Sequence, residues 1–281
     1  MKKLFLLFVA VYAVASSYNN KMLDKISKTK ATKSFAFAVM GDNRDGEYVL
    51  KKIIAHMNQN SSIQFALNNG DLVPDGYKKE FTGYVKTIQT SNKPILSVIG
   101  NHELPWYGGE SNYEKIFGQT YFSFIFGNSY FIILDDSDEK GVFEKQYSWL
   151  DKELKKSQSY QNRFVFMHVP LYDPRKGAYQ KGHSLKKIQN AKKLNDLFDR
   201  YGVTMLFCSH IHSYFRGFWH KTPYIITGGA GAPLKKEGFY HYVKVAVSGN
   251  TINYKVVKVD AEPLGIMGEI MQSVKDVLSL H

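Results

Sequence analysis

The stretch FAFAVMGD, residues 35–42, decides the fold class of this 281-residue chain. Six apolar residues in a row are typical of a strand that is buried on both faces of a sheet. The glycine and the aspartate that follow end the strand and begin a loop. Apolar residues then recur at helical spacing, which predicts an amphipathic helix containing Val49, Leu50, Ile53, Ile54 and Met57.

Two further apolar stretches repeat this arrangement. Residues 63–67 predict a second buried strand that ends at Asn69-Gly70-Asp71, and residues 94–99 a third that ends at Gly100-Asn101-His102. A helical stretch over residues 78–90 separates them. Strand, helix, strand, helix, strand is the βαβαβ pattern of a largely parallel, buried sheet. The first third of the chain therefore predicts an α/β fold.

The rest of the chain adds a second set of strands. We expect a hairpin (121–126 and 130–134), helices around 143–154 and over 184–201, and further strands over 164–167, 203–208, 214–219, 224–227, 240–247 and 251–259. The last four of these strands are expected to be antiparallel. Antiparallel strands that follow a βαβ unit in the first half of the chain favour two packed sheets. The predicted fold class is therefore an α/β double β-sheet sandwich flanked by helices, over residues 35–260. Residues 261–281 predict a C-terminal helix that docks on the core, contacts another subunit or touches a membrane.

The N-terminal residues predict export. Lys2 and Lys3 precede an almost wholly apolar run over residues 4–14, and Ala13 and Ala15 lie where a signal peptidase reads small residues. We expect a signal peptide over residues 1–15 and a solvated linker over residues 16–34. The alternative is an uncleaved membrane anchor, but the run is much shorter than the roughly 20 residues that span a bilayer. The expected location is secreted or periplasmic, without stable membrane insertion.

Composition narrows the classes of function. The chain is 44% apolar, which excludes a disordered protein, and its lone Cys208 excludes an internal disulfide framework and a multi-cysteine zinc site. The formal net charge of +12 favours anionic partners. The lysines are scattered over the N-terminal segment and the helices, and no nucleic-acid motif accompanies them. We therefore expect a solvated basic surface and no nucleic-acid partner.

Six polar residues lie just past the ends of five predicted strands, two of them after the strand over residues 203–208. In open α/β sheets the carboxyl ends of the strands converge on the crevice where ligands bind. Two aspartates beside one another repel unless a cation neutralises them. Mixed oxygen and imidazole donors suit Mn, Fe, Zn, Ni or Co better than Ca. The candidate metal ligands are Asp42, Asp71, Asn101, His168, His210 and His212.

The segments that carry these residues resemble, in the same order, the five motifs of the calcineurin-like metallophosphoesterase superfamily. The resemblance covers roughly residues 35–230 and implies the double-sheet fold predicted above. The five segments are Gly41-Asp42-Asn43-Arg44, Gly70-Asp71-Leu72-Val73-Pro74-Asp75-Gly76, Gly100-Asn101-His102-Glu103, Met167-His168-Val169-Pro170 and Ser209-His210-Ile211-His212.

The resemblance implies a role for each residue. Asp71 would bridge two metal ions, with Asp42 and His212 completing one site. The second site would be completed by Asn101, His168 and His210. The implied cofactors are two divalent or trivalent transition-metal ions, whose bridging hydroxide attacks phosphorus in line. Asn101 would also contact the substrate.

A catalytic histidine is implied beside the ligands. His102 would bind the phosphoryl oxygens or protonate the leaving oxygen, and we therefore name it as both a catalytic and a substrate-binding residue. Many catalytic imidazoles are oriented by a carboxylate, and Asp75 and Glu103 are the candidates here. In many relatives the acidic residue of the second motif comes three positions after the bridging aspartate, whereas Asp75 comes four after Asp71.

The first motif departs from the usual pattern. Relatives commonly have a metal-binding histidine two positions after the first aspartate, where this chain has Arg44. A guanidinium has no free lone pair, so Arg44 cannot coordinate a cation. We expect it to bind the substrate phosphate through paired hydrogen bonds. A mononuclear site and an inactive site are the alternatives.

The predicted function is metal-dependent hydrolysis of small phosphate mono- or diesters outside the cytoplasm. One alternative is a degenerate relative that binds metal or phosphate without turnover. Another is a nuclease of the same superfamily.

Overall fold

In this computed structural model the described residues are 17–32, 34–104, 108–177, 179–234 and 238–261. The predicted signal peptide lies outside these ranges, as does the predicted C-terminal helix apart from its first residue. No helix in the described part of the chain is long and apolar enough to cross a bilayer. The helices are α1 (Tyr18–Lys28), α2 (Glu47–Gln59), α3 (Lys78–Ile88), α4 (Gly109–Phe117), α5 (Glu144–Ser157) and α6 (Ile188–Tyr201).

The strands form two sheets. They are β1 (Ser34–Met40), β2 (Ile63–Asn69), β3 (Ile95–Val98), β4 (Phe122–Phe126), β5 (Ser129–Ile133), β6 (Asn162–Phe166), β7 (Met205–Cys208), β8 (Tyr214–Trp219), β9 (Thr222–Thr227), β10 (His241–Ser248) and β11 (Thr251–Lys258). Among the described residues, one sheet has the order β11-β10-β1-β2-β3 and the other the order β4-β5-β6-β7-β9-β8. Strands β1, β2 and β3 are parallel, as are β5, β6, β7 and β9.

An aromatic core joins the two sheets. Phe35, Phe37 and Val39 alternate along β1 and belong to the buried cluster between the sheets. Phe37 stacks on Phe65 of its own sheet with ring centroids 5.6 Å apart. It meets the edge of Phe131, from the opposite sheet, at 5.3 Å. Burial of such large rings accounts for much of the driving force that holds the sheets face to face.

Helices cover the outer face of each sheet. Ala38 and Met40, on the other face of β1, pack with apolar residues of α2, α3 and α4. On the second sheet, Ile132 of β5 and Val165 of β6 pack with α5 and α6. The layers are therefore helices, sheet, sheet and helices. This confirms the predicted α/β double β-sheet sandwich flanked by helices.

The predicted linker over residues 16–34 is wrong for its larger part, because residues 18–28 form α1. Asn19, Met22 and Ile26 lie at helical spacing, and all three are buried. The Asn19 side chain donates to the backbone oxygen of Ser97 at 2.9 Å and accepts from its nitrogen at 3.0 Å. Ser97 lies in β3, which is an edge strand of its sheet. The abundant polar residues that favoured a linker lie mostly on the exposed face of the helix.

Other differences concern pairing and helix ends. The predicted late strands exist, but they are divided between the sheets, because β9 pairs with β7 whereas β10 pairs with β1. The helix expected over residues 184–201 begins at Ile188. Helix α4 was not predicted, because its 9 residues include a glycine at the first position and carry only a short apolar face.

Candidate metal centre

The six predicted ligands lie together at the carboxyl ends of the parallel strands. Asp42 follows β1, Asp71 follows β2 and Asn101 begins the turn after β3. From the other sheet, His168 follows β6, and two histidines follow β7. All except the half-buried Asn101 are buried. The six residues come from five loops that are far apart in the sequence, so the topology of the two sheets creates the cluster.

Donor atoms fall into two groups that share one carboxylate. Atoms of Asp71, His168 and His210 lie within 4.8 Å of one another, and so do atoms of Asp42, Asp71 and His212. The amide Oδ1 of Asn101 lies 3.0 Å from His168 Nε2 and 2.9 Å from His210 Nδ1, which places it beside the first group. The arrangement has the shape of two adjacent ion sites joined by Asp71.

Three of these residues have a left-handed backbone. The φ angles are 57° at Asp42, 54° at Asp71 and 68° at His210. This region costs a residue other than glycine of the order of 1–3 kcal/mol, and such conformations cluster at functional sites. The sharp turn immediately after each strand directs these residues into the crevice instead of along the sheet.

Charge is poorly balanced among the buried groups. Burial, together with the neighbouring Asp71 carboxylate, raises the pKa of Asp42 to about 8. Burial would raise the pKa of Asp71 as well, but the His168 imidazole holds that pKa well below its usual range. Burial likewise opposes protonation of His168, yet Asp71 and Asp42 raise its pKa to about 10. The buried carboxylates thus depend on a positive charge between them, which the His168 imidazolium supplies among the described groups.

The donor set fits transition-metal ions. Asp42 Oδ1 is buried and has no hydrogen-bond partner in the described part of the chain, so one carboxylate oxygen is free to bind a cation. His168 Nδ1 lies 2.9 Å from the carbonyl oxygen of Asn69, and His212 Nδ1 lies 2.7 Å from that of Pro233. Those contacts fix each ring and leave Nε2 directed at the aspartates, as is usual for metal-binding histidines.

A comparison with protein families identifies the chain. The family model of calcineurin-like phosphoesterases matches residues 35–214. This range is well over half of the sequence and contains all six candidate ligands. The chain belongs to the calcineurin-like phosphoesterase family. The family expected from the five motifs is therefore confirmed.

Curated relatives of this calcineurin-like protein include phosphatases. Human serine/threonine-protein phosphatase CPPED1 is 26% identical over 199 residues, which cover 65% of this chain and 62% of the human protein. The Fe(3+)-Zn(2+) purple acid phosphatase 12 of Arabidopsis thaliana is 22% identical over 243 residues, 77% of this chain and 51% of the plant protein. The chain thus spans between half and two thirds of these relatives.

Solved structures of the same fold include a plant phosphatase and a structural anchor. Purple acid phosphatase PPD1 from yellow lupin superposes with a TM-score of 0.62 at 16% identity, over 81% of this chain and 52% of that chain. GAP50, described as the anchor in the inner membrane complex of Plasmodium, has a TM-score of 0.62 at 15% identity, over 84% and 88%. At such low sequence identity, both superpositions show that the fold is shared.

The ring of His102 is oriented by the backbone of the second motif. Its Nδ1 lies 2.7 Å from the carbonyl oxygen of Pro74, and its Nε2 lies 3.9 Å from Asp71 Oδ2. Neither Asp75 nor Glu103 makes the contact that we expected of an orienting carboxylate. The expectation was wrong because a backbone carbonyl provides the acceptor that a carboxylate provides in other enzymes.

Glu103 instead joins two loops. The residue is fully buried, and its carboxylate accepts hydrogen bonds from the backbone nitrogens of Asp71, Leu72, Val73 and Gly100, at 2.6–3.1 Å. The loop that carries the shared aspartate is thereby fastened to the loop that carries Asn101 and His102. Such a buried carboxylate with several backbone donors fixes the relative position of the residues around it.

Arg44 lies beside the shared carboxylate. Its Nε atom is 3.6 Å from Asp71 Oδ2, and its Nη1 atom donates to Asp45 Oδ2 at 2.7 Å. The side chain is about one-fifth exposed, so it faces the opening of the centre. A guanidinium in this place can contact an anion held over the centre.

Sequence reasoning missed several supporting residues. Asp136, which is almost fully buried, accepts from the backbone nitrogens of His168 at 2.8 Å and Val169 at 2.9 Å. Its place just after β5 was the available signal, because the candidate metal-binding aspartates also follow strands. The Asn69 side chain donates to the carbonyls of Met167 at 2.8 Å and Phe207 at 3.2 Å, and so links the two sheets beside the centre. No feature of the sequence marks that contact.

The glycine-rich segment after β9 packs against the first motif. A Cβ atom at Gly228 would lie 2.6 Å from Asp42 Oδ2, so only glycine fits there. The backbone nitrogen of Ala232 donates to the carbonyl of Asp42 at 2.8 Å.

Two further histidines lie close to the centre. His183 stacks on His210 with ring centroids 3.9 Å apart, and His241 is buried next to Gly229.

Proposed function

We propose that this protein hydrolyses phosphate esters with two metal ions bound at the centre. The observation that carries the proposal is the shared Asp71, whose carboxylate belongs to both groups of donor atoms. When two ions are bound in this way, they polarise a phosphoryl group and make a water molecule acidic enough to attack it. The proposed ions are Mn, Fe, Zn, Ni or Co, which suit a mixed set of oxygen and nitrogen donors.

The remaining residues then have distinct tasks. Asp42 and His212 hold one ion together with Asp71, while Asn101, His168 and His210 hold the other. Because Nδ1 of His168 and of His212 each face a carbonyl oxygen, the tautomer is fixed and Nε2 keeps its lone pair for the ion.

His102 and Arg44 act on the substrate. His102 Nδ1 donates a hydrogen bond to the Pro74 carbonyl and Nε2 faces the centre, so the doubly protonated ring can donate a proton from Nε2 to the leaving oxygen. Arg44 binds the phosphoryl oxygens with two parallel N–H groups. Both residues supply positive charge or protons where negative charge develops during hydrolysis.

The test is a phosphoester panel on metal-stripped protein reloaded with Mn, Co, Ni, Zn or Mg. We expect two ions per chain and hydrolysis by at least one metal form. Asp71→Asn should lower metal content at both positions and abolish turnover, whereas Asp24→Asn, on the exposed face of α1, should change neither. Full metal occupancy without hydrolysis of any ester would make the protein a degenerate binder. Activity on DNA that falls steeply with salt would make it a nuclease.

We also propose that the protein acts outside the cytoplasm. The positive residues and apolar run at residues 2–14 support export, and the small residues after them support cleavage. N-terminal sequencing of the protein from its native host should begin near residue 16. A mature protein that still begins at Met1 would contradict this proposal.

A further inference from the structure

The three histidines among the candidate ligands are held in two different ways. His168 Nδ1 and His212 Nδ1 each face a backbone carbonyl oxygen, at 2.9 and 2.7 Å, which leaves Nε2 for the ion. In His210 the nitrogen that faces the other donors is Nδ1 itself, 2.9 Å from Asn101 Oδ1 and 3.3 Å from His168 Nε2. Within the described part of the chain, the His210 ring thus has polar contacts with other candidate ligands and not with a backbone oxygen.

The backbone leaves the rotation of the His210 ring open. The φ angle of 68° and the hydrogen bond from the His210 nitrogen to Asp42 Oδ2, at 2.8 Å, direct the side chain into the crevice. Neither of them fixes the plane of the ring, because rotation about the bond from Cβ to an imidazole has broad energy minima. Metal-binding histidines usually depend on an outer contact for their orientation. The orientation of this ring therefore depends on what packs against its faces.

The imidazole of His183 packs against one face of that ring. The ring centroids of His183 and His210 lie 3.9 Å apart, and the two planes differ by only 12°. The ring of His168 stands nearly perpendicular to His210, with centroids 5.1 Å apart. His183 is exposed, whereas His210 is buried. The stacked imidazole therefore lies on the solvent side of a buried candidate ligand.

A buried carboxylate fixes the segment that carries His183. The backbone nitrogen of His183 donates to Asp173 Oδ2 at 2.8 Å, and Asp173 is fully buried. Arg175 donates to the same carboxylate with its Nε and Nη2 atoms, both at 2.8 Å. A Cβ atom at Gly182 would collide with this carboxylate, so only glycine allows the chain to pass so close. The backbone of His183 is therefore fixed beside the centre before any ion binds.

The residues after His183 anchor the segment to the second sheet. Ser184 and Leu185 are buried, and the backbone nitrogen of Leu185 donates to the carbonyl of Pro170 at 3.0 Å. Pro170 comes two residues after His168, at the end of β6. The stacking residue is thus tied to the strand end that supplies another ligand of the same ion site.

We propose that His183 is a positioning residue, whose ring stacks on His210 and keeps Nδ1 of that ligand directed at its ion. The proposal rests on the proposed two-ion centre. His183 belongs to neither group of donor atoms in the described part of the chain, so it acts through its neighbour and not as a ligand. An imidazole that binds a cation is electron-poor, and the face of an aromatic ring is negatively polarised, so a bound ion strengthens the stack.

Titration of metal-stripped protein with Co²⁺, followed by calorimetry and by visible absorption, tests the stack. We expect His183→Ala to raise the Kd of one binding event about tenfold, which corresponds to about 1.4 kcal/mol and is usual when an outer contact of a ligand is lost. That event should be the one that Asn101→Ala abolishes, while the event that His212→Ala abolishes keeps its Kd. An unchanged Kd, or equal losses at both events, would overturn the proposal.

A phenyl ring separates stacking from the chemistry of the nitrogens. His183→Phe keeps a flat ring over His210 but has no nitrogen that could bind an ion or a phosphate. We expect this variant to recover the wild-type Kd to within about threefold, because the face of the ring provides the contact. If His183→Phe binds Co²⁺ as weakly as His183→Ala, a nitrogen of His183 is required and the proposal is overturned.

A matched control lies elsewhere on the surface. His220 is also exposed, and its ring stacks on Tyr179 with centroids 4.5 Å apart and planes 21° apart. His220→Ala removes a stack of the same kind outside both groups of donor atoms and should leave both binding events unchanged. A loss of Co²⁺ affinity as large as that in His183→Ala would contradict the proposal.

These measurements need no turnover, so they separate this proposal from the proposed function. Two bound ions with an unchanged Kd in His183→Ala would overturn the stack and leave the proposed hydrolysis intact. Two bound ions, a weakened event in His183→Ala and no hydrolysis of any ester would support the stack and overturn the proposed function. Wild-type protein that lacks the event dependent on Asn101 would overturn both.

Discussion

Glu103 Oε2 lies 3.0 Å from the backbone nitrogen of Asp71 and fixes the loop on which the proposed metal centre depends. Three further backbone N–H groups point to the same buried carboxylate. A carboxylate can accept all four hydrogen bonds, because both of its oxygens carry two lone pairs. The geometry of the centre therefore rests on a residue that does not belong to the donor groups.

Replacing this carboxylate should lower stability. Glu103→Gln leaves one oxygen for four donors and directs an amide NH2 toward N–H groups. We expect the free energy of unfolding to fall by about 2–4 kcal/mol, since each unsatisfied buried group costs about 1–3 kcal/mol. Urea denaturation measures this loss. The exposed Glu114→Gln is the control and should stay within about 0.5 kcal/mol of the wild type. Equal stability of the two variants would contradict the role of Glu103.

The N-terminal helix should contribute to the stability of the domain. Asn19→Ala removes both hydrogen bonds to the Ser97 backbone and leaves that buried nitrogen unpaired. We expect a loss of about 1–3 kcal/mol in the free energy of unfolding. Asn20→Ala, at the next and exposed position, should change stability by less than about 0.5 kcal/mol. If the two variants unfold at the same denaturant concentration, α1 does not stabilise the sheet edge.

His102 should act on the leaving group. His102→Ala is expected to keep both metal ions and to lose about 10²- to 10⁴-fold in kcat on alkyl phosphates, as is typical when a general acid is removed. p-Nitrophenyl phosphate should lose much less, because its leaving group departs without a proton. His56→Ala on α2 is the control. Equal losses for both esters would mean that His102 only positions the phosphate, and loss of metal would make it a ligand.

Arg44 should bind the phosphate. We expect Arg44→Ala to raise KM for phosphate esters by about 10- to 100-fold, since hydrogen bonds to charged groups contribute roughly 1.5–3 kcal/mol. Inhibition by inorganic phosphate should weaken in parallel, while metal stoichiometry stays at two. Arg44→Lys should recover only part of the affinity, because lysine lacks the paired donors. An unchanged KM in the alanine variant, or one ion per chain in the wild type, would refute this assignment.

Stability should fall in mild acid because of His241. Burial lowers the pKa of His241 to about 4, from an ordinary value near 6.5. Between these two pH values, the His241 imidazole is therefore protonated in the unfolded chain and neutral in the folded protein. The contribution of His241 to the free energy of unfolding is therefore complete above about pH 6.5. As the pH falls toward 4, the free energy of unfolding decreases by up to about 1.4 kcal/mol per pH unit.

A variant isolates that contribution. His241→Asn keeps a donor for the carbonyl of Phe239, which lies 2.8 Å from His241 Nδ1, but does not titrate. The free energy of unfolding, measured from pH 7 to pH 4, should decline less steeply in the variant. Parallel curves for the two proteins would show that His241 does not cause the decline.

The sequence by itself determined the core of the fold. Continuous apolar runs such as residues 35–40 can only be buried on both faces, and the alternation with helical stretches requires parallel strands. The same runs place Asp42, Asp71 and Asn101 at one edge, because parallel strands share the direction of their carboxyl ends. The residues that form the two groups of donor atoms were therefore predictable from local pattern together with the family resemblance.

Only the tertiary structure decided which contacts support the centre. Pro74, and not Asp75 or Glu103, faces the ring of His102, because a backbone carbonyl leaves no trace in residue type. The helix over residues 18–28 was not predicted for a similar reason. The side chain of its buried Asn19 pairs with the backbone of an edge strand, in the way that the backbone of another strand would, and a polar composition does not indicate such a partner. Local sequence fixes the direction of a strand and its end, whereas hydrogen bonds between segments far apart in sequence depend on how those ends meet in space.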